Sequence, residues 1–438
     1  MPSQREFARR RRQLMQTMGP GAVAILPAAP ERRRSRDIFH SYRQDSDFWY
    51  LTGFDEPSAV AVIAPGRAHG EYILFCRDKD AHHEAWDGPR AGPEGACAAF
   101  GADDAFPIDD LNDILPGLLE GRERIYYAMG RHRDFDQRLL AWVNLLKDKG
   151  EGGHEAHQIV ALDHVLQDMR CYKSREEIRA LRSAAAVSVE AHLRAMRACR
   201  PGMMEYEIEA ELLHTFRRHG LEAAYPSIVA GGPNACTLHY IHNRAPLKDG
   251  DLLLIDAGCE YELYASDISR TFPVNGRFSR EQQALYELVL ASQDAAFETL
   301  RPGAGWNDAH ARVIEVITQG LVDLGILEGH PDELVASEAY RPYFMHRTGH
   351  WLGLDVHDVG EYRVDGHWRQ LEAGMVLTVE PGIYINADCS AVDARWRGIG
   401  IRIEDDVLIT SEGHELLSVG LPRSAREVEA EMSGARAA

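Results

Sequence analysis

Short apolar runs set off by glycine, proline and charge dominate the first third of the chain, and long amphipathic stretches follow. Ala22–Leu26, Ala59–Ile63 and Tyr72–Phe75 are apolar runs of strand length, rich in residues that suit a pleated, buried surface. Helical patterns lie around them. Phe7, Leu14, Met15 and Met18 recur at helical spacing, which predicts an amphipathic first helix with a solvated basic face. Arg138–Lys149 reads as another helix, and Gly150–Gly153 with its flanking charges reads as a surface loop. Ser174 followed by Glu177 forms a capping box, opening a helix over Arg175–Cys199 that stops at Arg200-Pro201-Gly202. The boundary is placed just before that helix, giving a small N-terminal α/β domain over 1–170 and a second domain over 171–438.

The second domain contains an internal repeat. Leu247–Gly258 reads LKDGDLLLIDAG and Leu371–Gly382 reads LEAGMVLTVEPG. Aligned without a gap, they share a Leu, a Gly, a hydrophobic run, an acid and a closing Gly. Each follows, at some distance, a helix expected to start at Arg-Pro-Gly, Arg200–Gly202 or Arg301–Gly303. Two similar halves facing each other place Asp256 and Glu380 in symmetry-related positions, an α+β arrangement. Strands entered through a glycine turn often look alike, which accounts for the hydrophobic runs but not for an acid at the same end of both.

Composition narrows the function. The chain has 438 residues, enough for two cores. The net charge is −20, from 48 Lys+Arg against 68 Asp+Glu, which argues against nucleic acid and anionic membranes as partners. No apolar run approaches a membrane span. Seven scattered cysteines without a C-x-x-C pair form neither a disulfide framework nor a zinc ribbon. With no signal-peptide core in the arginine-rich N-terminus, they point to the cytoplasm.

The acids carry the chemistry. Asp256 ends an apolar strand, where an unpaired charge is expensive to bury. Asp267 falls in an expected strand Tyr264–Phe272, with a turn at Gly258 and Glu260 between them. Glu380 closes Leu377-Thr378-Val379, and Glu404 sits in a strict alternation with Ile399, Ile401 and Ile403 on one side and Arg402 and Glu404 on the other. Taken singly, each acid is adequately explained as a strand-end or surface charge. Four together repel strongly, and two divalent cations offset four negative charges. Oxygen ligation favours Mn²⁺, Mg²⁺ or Ca²⁺, and one imidazole shifts the preference toward Mn²⁺, Co²⁺ or catalytic Zn²⁺. Imidazoles are at hand. His346, His350 and His357 share one glycine-rich block, and His239 precedes Asp256 much as His350 precedes Glu380.

The ordered set LHY, LIDAGCEYELYASDISRTFPV, MHRTGHWLGLDVHDVG, LTVEPGIY and GIGIRIEDD resembles the bacterial aminopeptidase P (Xaa-Pro aminopeptidase) family, peptidase family M24. That family lies in the pita-bread metallopeptidase superfamily with prolidase and methionine aminopeptidase. YRQDSDFWYLTGFDEPSAV extends the resemblance to the family's non-catalytic N-terminal domain. The resemblance implies a C-terminal pita-bread fold with pseudo-two-fold symmetry. It implies Asp256, Asp267, His350, Glu380 and Glu404 as ligands of two metal ions, Mn²⁺ first, with Co²⁺ or Zn²⁺ as alternatives. Asp267 and Glu404 correspond to the bridging pair. His239, His346 and His357 correspond to substrate-side histidines, Arg402 to an arginine behind the ligands, and Tyr384 to a tyrosine near the reacting carbonyl. Trp86 resembles a tryptophan that reaches a neighbouring subunit's site, although an ordinary half-buried aromatic explains it equally well. The block Arg347-Thr348-Gly349 departs from the family wording.

The implied activity is release of the N-terminal residue from peptides with proline second, by attack of a hydroxide bridging two metals. Glu380 would act as proton shuttle and His357 or His239 as oxyanion partner. The family also implies a homo-oligomer, a tetramer built as a dimer of dimers or a dimer. Prolidase, restricted to dipeptides, is the nearest rival. A non-catalytic binding module on the same fold is disfavoured by the intact ligand set.

Overall fold

The computed structural model describes residues 2–148 and 158–437. The chain divides into two compact units, Met1–Met169 and Arg170–Ala438. The loop expected at Gly150–Gly153 lies outside the described residues.

Among the described residues, the N-terminal unit is built on a six-stranded mixed sheet. Its spatial order is Asp104–Pro107, Tyr72–Cys76, Val60–Ile63, Ala22–Pro27, Arg124–Tyr127 and Gln158–Ala161. The helices Leu111–Leu119 and Arg133–Asp148 bury Leu111, Leu115, Leu119, Leu139 and Trp142 in the same core as Val23, Ile25 and Phe75. At roughly 2 kcal/mol for each fully buried large apolar side chain, this core is the unit's main source of stability.

The first helix, Gln4–Met18, corrects one expectation. Its basic face is not fully solvated. Arg10 is buried with its guanidinium 4.1 Å from the Tyr50 ring centroid, and it donates to the Tyr50 carbonyl at 3.0 Å. Arg11 lies 4.0 Å over Tyr72 and donates to the Leu51 carbonyl at 2.8 Å. Phe7, Arg10, Arg11 and Leu14 follow the i, i+3, i+4, i+7 spacing of one helix face, so the two arginines share the apolar stripe and act as packing elements.

The C-terminal unit shows the repeat as geometry. Each half opens with a helix hairpin: Arg175–Ala198 with Glu205–Arg218, and Arg280–Phe297 with Asp308–Asp323. Both first helices carry reciprocal capping boxes, Ser174 with Glu177 and Ser279 with Gln282. The Arg-Pro-Gly sequences do not start helices as expected. They are the turns inside the hairpins, with Gly202 at φ +91° and Gly303 at φ +85°. The Gly202 amide donates to the Leu247 carbonyl at 2.8 Å, and the Gly303 amide donates to the Leu371 carbonyl at 2.8 Å. Leu247 and Leu371 are the first residues of the two repeats. An equivalent backbone bond therefore pins each repeat to the turn of its own helix hairpin.

From those anchors run two central strands, Leu252–Asp256 and Val376–Val379. Leu252–Asp256 lies between Ile228–Gly231 and Ser269–Pro273, and Val376–Val379 pairs with Asp405–Ile409. Both partner strands start from a break. The expected continuous strand Tyr264–Phe272 is interrupted after Ala265 and resumes at Ser269, leaving Asp267 in the gap. The expected alternation through Glu404 stops at Arg402 and resumes at Asp405. The turn expected at Gly258 and Glu260 lies instead at Glu262 and Leu263, both at positive φ, between the paired strands Cys259–Tyr261 and Tyr264–Ala265. Gly258 has a different task. A Cβ there would sit 1.8 Å from the Ser266 carbonyl oxygen, so only glycine lets the backbone beside Asp256 pass the backbone beside Asp267.

Gly258→Ala is therefore expected to lower stability by on the order of 1–3 kcal/mol or more through overpacking against backbone. Thermal unfolding measures this, and an unchanged Tm would refute the close-approach reading.

Candidate active site

The two strand breaks interlock. The Glu404 amide donates to the Ser269 carbonyl at 3.0 Å, while the Asp267 amide points to both carboxylate oxygens of Asp406 at 3.2 Å. Asp256 pairs in register with Ser269, at the mouth of the same break. Glu380 follows the other central strand, and its amide donates to the Thr348 carbonyl at 2.7 Å. This bond fastens the histidine block to the strand end, and the Thr378 amide adds another, to the His350 carbonyl at 2.9 Å. All five expected ligands consequently line one cavity of about 570 Å³.

Within it, Asp267, His350 and Glu404 offer ligand atoms that all lie within 4.8 Å of one another. His350 Nδ1 lies 2.9 Å from the Trp351 carbonyl, which only an Nδ1–H donor satisfies. Nε2 is thereby turned to the acids, 3.3 Å from Asp267 and 3.6 Å from Glu380. Arg402 donates to Asp256 at 2.7 Å, to the Tyr384 hydroxyl at 3.0 Å and to the Ser269 hydroxyl at 2.9 Å. Ser269 in turn donates to Glu404 at 2.6 Å. Tyr384, accepting from Arg402, has its own proton free for His346 Nε2, 2.9 Å away, and His346 Nδ1 meets the Arg347 carbonyl at 2.8 Å. The His357 ring lies edge-on to His350, centroids 4.3 Å apart. His239 lines the cavity wall with Leu238. Trp86 belongs to the helix Ala81–Asp87 of the N-terminal unit and is 80% exposed.

Burial and crowding shift the titration of the acids and of His350. Burial, then the charge of Asp267, pushes the Asp256 carboxyl up to about 6. Burial pushes Glu380 up to about 7, despite the opposing pull of His350 and Arg402. Burial and the neighbouring acids hold Glu404 well above the carboxylate range. Asp267 goes the other way. Burial works to raise it, but the hydrogen bond and charge of His350 and the Tyr225 hydroxyl together bring it below its ordinary value. His350 rises to about 9 because its acidic neighbours outweigh its burial. A site that holds excess protons between buried oxygens and one correctly turned imidazole is chemically matched to divalent cations.

Two contributors escaped the sequence reading. The Tyr225 hydroxyl lies 2.7 Å from Asp256 and 2.5 Å from Asp267, tying the two acids together. Its signal is positional, because Tyr225 just precedes the strand whose Ile228 pairs with Asp256. Asp406 is a buried acid that takes up the Asp267 amide. The aromatic residues Trp306, Tyr362 and Trp368 on the cavity wall were also not singled out.

The raised carboxyls have a consequence for stability. Asp256 and Glu380 bind protons in the folded chain up to about 6 and about 7, against ordinary values of 3.8 and 4.5. Their contribution is fully present below the ordinary values and is lost as pH rises through the folded ones. The share of stability carried by these two carboxyls is therefore lost from about pH 4 to about pH 7, and added Mn²⁺, which displaces their protons, should raise Tm more at about pH 7.5 than at about pH 5. Equal Mn²⁺-induced shifts at both pH values would contradict this.

Comparison with known proteins agrees with the geometry. Residues 179–411 match the model of metallopeptidase family M24, and residues 7–126 match the aminopeptidase P N-terminal domain. The chain is 47% identical to the Xaa-Pro aminopeptidase of Escherichia coli strain K12, covering 99% of each. It is 44% identical to that of Haemophilus influenzae, over 97% of this chain and 96% of the relative. Among solved structures, Pseudomonas aeruginosa aminopeptidase PepP superposes with a TM-score of 0.99 at 59% identity, covering 100% of this chain and 99% of that one. A glutamate-to-alanine variant of Escherichia coli aminopeptidase P in complex with substrate gives a TM-score of 0.97 at 45% identity, over 100% of this chain and 99% of that one. A zinc-substituted form of the Escherichia coli enzyme is also similar, with a TM-score of 0.96. Among the described residues no helix is long and apolar enough to cross a membrane. The repeat-built α+β fold, the carboxylate–histidine cluster and these full-length matches lead to one assignment: the chain belongs to metallopeptidase family M24, in its aminopeptidase P branch, and is a hydrolase.

Proposed function

We propose that this chain removes the N-terminal residue from peptides whose second residue is proline, as a dinuclear Xaa-Pro aminopeptidase. The observation that carries the reading is the convergence of Asp267, His350 and Glu404, with ligand atoms within 4.8 Å of one another, in the cavity that Asp256 and Glu380 also line. Asp256, Asp267, His350, Glu380 and Glu404 would hold two cations, Asp267 and Glu404 as the carboxylates common to both, Asp256 on one side and His350 with Glu380 on the other. Mn²⁺ is the first candidate, with Co²⁺ or Zn²⁺ as alternatives. When bound, the cations supply a water of lowered pKa and a Lewis acid for the scissile carbonyl.

The protein's own groups do the rest. Arg402, through its 2.7 Å bond, favours the ionised form of Asp256 that a ligand must have. Glu380, which follows its strand at the cavity wall, is the group that would take a proton from the attacking water and deliver it to the leaving proline nitrogen. His357 and His239, both on the cavity wall, are the donors for the developing oxyanion. The His346–Tyr384–Arg402 chain of hydrogen bonds holds the hydroxyl of Tyr384 in place behind Asp256 and Glu404. A proline residue offers no N–H for a peptidase to grip. Trp306, Tyr362 and Trp368 provide an aromatic wall that reads a pyrrolidine ring by contact instead. The free α-amino group of the substrate binds beside Asp256, which limits the enzyme to the N-terminal residue.

The reading extends to a homotetramer, with Trp86 reaching a partner's site, and to the cytoplasm. The 80% exposure of so large a side chain supports the role of Trp86. Prolidase remains the second reading, because it needs the same metals and the same chemistry.

Purified, Mn²⁺-loaded protein should hydrolyse an Xaa-Pro-Xaa tripeptide, and hydrolysis of Xaa-Pro dipeptides alone would turn the choice to prolidase. Asp267→Ala and Glu404→Ala should each lower kcat by on the order of 10³-fold or more, because each removes an oxygen shared by both cations. Near wild-type turnover of either variant in a metal-replete assay would sink the bridging assignment. His357→Ala should reduce kcat by about 10²-fold while leaving the metal content, read by elemental analysis, unchanged.

A further inference from the structure

His357 stands on a stretch of irregular backbone, and it is itself exposed. The residue after it is not. The Asp358 side chain is 1% exposed and lies between two buried cations, Arg170 at 2.5 Å and Lys173 at 3.0 Å. Arg170 also reaches Asp355 at 2.8 Å, so two acids that flank Val356 and His357 are gripped by one guanidinium. Both cationic side chains are 1% exposed. Water therefore competes little for these bonds, and their geometry is held more tightly than that of a surface pair.

Two further observations show that the surroundings are shaped around this cluster. A Cβ on Gly353 would sit 2.1 Å from Asp358 Oδ2 and 3.1 Å from the Lys173 side chain. Glycine at that position is what lets the carboxylate reach its lysine. The Asp358 amide donates to the Trp351 carbonyl at 2.8 Å, closing the loop on itself. The Lys173 amide donates to the Gly374 carbonyl at 2.8 Å, at the turn that leads into Val376–Val379 and so to Glu380. One short segment, Arg170 to Lys173, is thus tied by side chains to the loop bearing His357 and by backbone to the strand that delivers Glu380.

We infer that the Arg170–Lys173–Asp358 cluster is a positioning device that fixes the His357 imidazole over the reacting centre. Its three residues touch no substrate and line no part of the cavity. They act through the loop. A loop of irregular backbone with an exposed histidine would otherwise sample several ring positions, and a misplacement of about 1 Å costs roughly 10²-fold in rate. The inference rests on the role given to His357 under the proposed function.

The test is a double-mutant cycle on Mn²⁺-loaded, full-length protein with an Xaa-Pro-Xaa tripeptide. Asp358→Asn keeps the side-chain shape and removes the charge. The expected result is a fall in kcat of about 10-fold or more with KM and metal content near wild type. In the His357→Ala background the same substitution should lower kcat by less than about 2-fold, because the group it positions has gone. If Asp358→Asn does not fold, Lys173→Met carries the cycle with Arg170 still in place, and Lys173→Arg should restore part of the lost turnover. Losses that multiply in the double variant, a fall that tracks lost metal, or wild-type kcat in folded Asp358→Asn would each overturn the inference. A wild-type protein that is metal-replete yet inactive on the tripeptide would instead overturn the functional reading itself. The two failures are therefore distinguishable.

Discussion

The structure is organised around the mutual repulsion of buried carboxylates. Two unit charges 4 Å apart interact by roughly 4 kcal/mol at an effective dielectric of about 20. A chain that gathers Asp256, Asp267, Glu380 and Glu404 around one cavity must offset several such terms. The surrounding groups do so in part. Arg402 brings a full positive charge to Asp256, Tyr225 lies within hydrogen-bond reach of both Asp256 and Asp267, Ser269 donates to Glu404, and His350 faces Asp267 and Glu380. What remains appears as protons held far above the ordinary carboxylate range. Cations that replace those protons would stabilise the fold at the same place where they supply the chemistry.

The backbone is arranged to bring those oxygens together. A regular pair of antiparallel strands would point alternate side chains to opposite faces, and the acids would be separated by the pleat. Breaking the strands at Asp267 and Glu404 frees both residues from alternation. The price is a set of unpaired backbone groups, and each break supplies partners for the other: the Glu404 amide meets the Ser269 carbonyl, and the Asp267 amide meets Asp406. Glycines make the close approaches possible. A Cβ on Gly349 would lie 2.0 Å from the Thr378 carbonyl oxygen, as one on Gly258 would lie 1.8 Å from that of Ser266. The two halves solve the same steric problem in the same way.

Much of this was legible in the sequence. The two twelve-residue repeats carry a strand, an acid and a closing glycine in fixed order, and the hydrogen bonds from Gly202 to Leu247 and from Gly303 to Leu371 are their physical counterpart. The capping boxes at Ser174 and Ser279 rest on local rules, and the one at Ser174 was read correctly. What was not legible depends on tertiary register. Tyr225 joins the site only because Ile228 pairs with Asp256, and nothing local to Tyr225 announces it. The strand breaks were missed because alternation of Ile399, Ile401 and Ile403 continues past the point where pairing stops. Arg10 and Arg11 were misassigned because charge was weighed above helical phase, although phase alone puts them beside Phe7 and Leu14.

Three histidines of one block show how far environment decides chemistry once the fold is set. His350 faces two acids and is pushed up to about 9 in spite of its burial. His346, almost as enclosed, is pushed down to about 3 by burial and by the nearby Arg402 charge. His357 is lowered by burial and by His350. In the metal-free chain the acids thus favour the charged form of the first, and burial favours the neutral form of the other two. A cation bound among the acids would take over the charge that His350 carries and leave its Nε2 lone pair for ligation, while His346 accepts from Tyr384. The same residue type at three nearby positions therefore supplies an imidazole turned to the acids, a hydrogen-bond acceptor and an exposed ring at the cavity wall. Each follows from which carboxylates and cations the broken strands bring within reach.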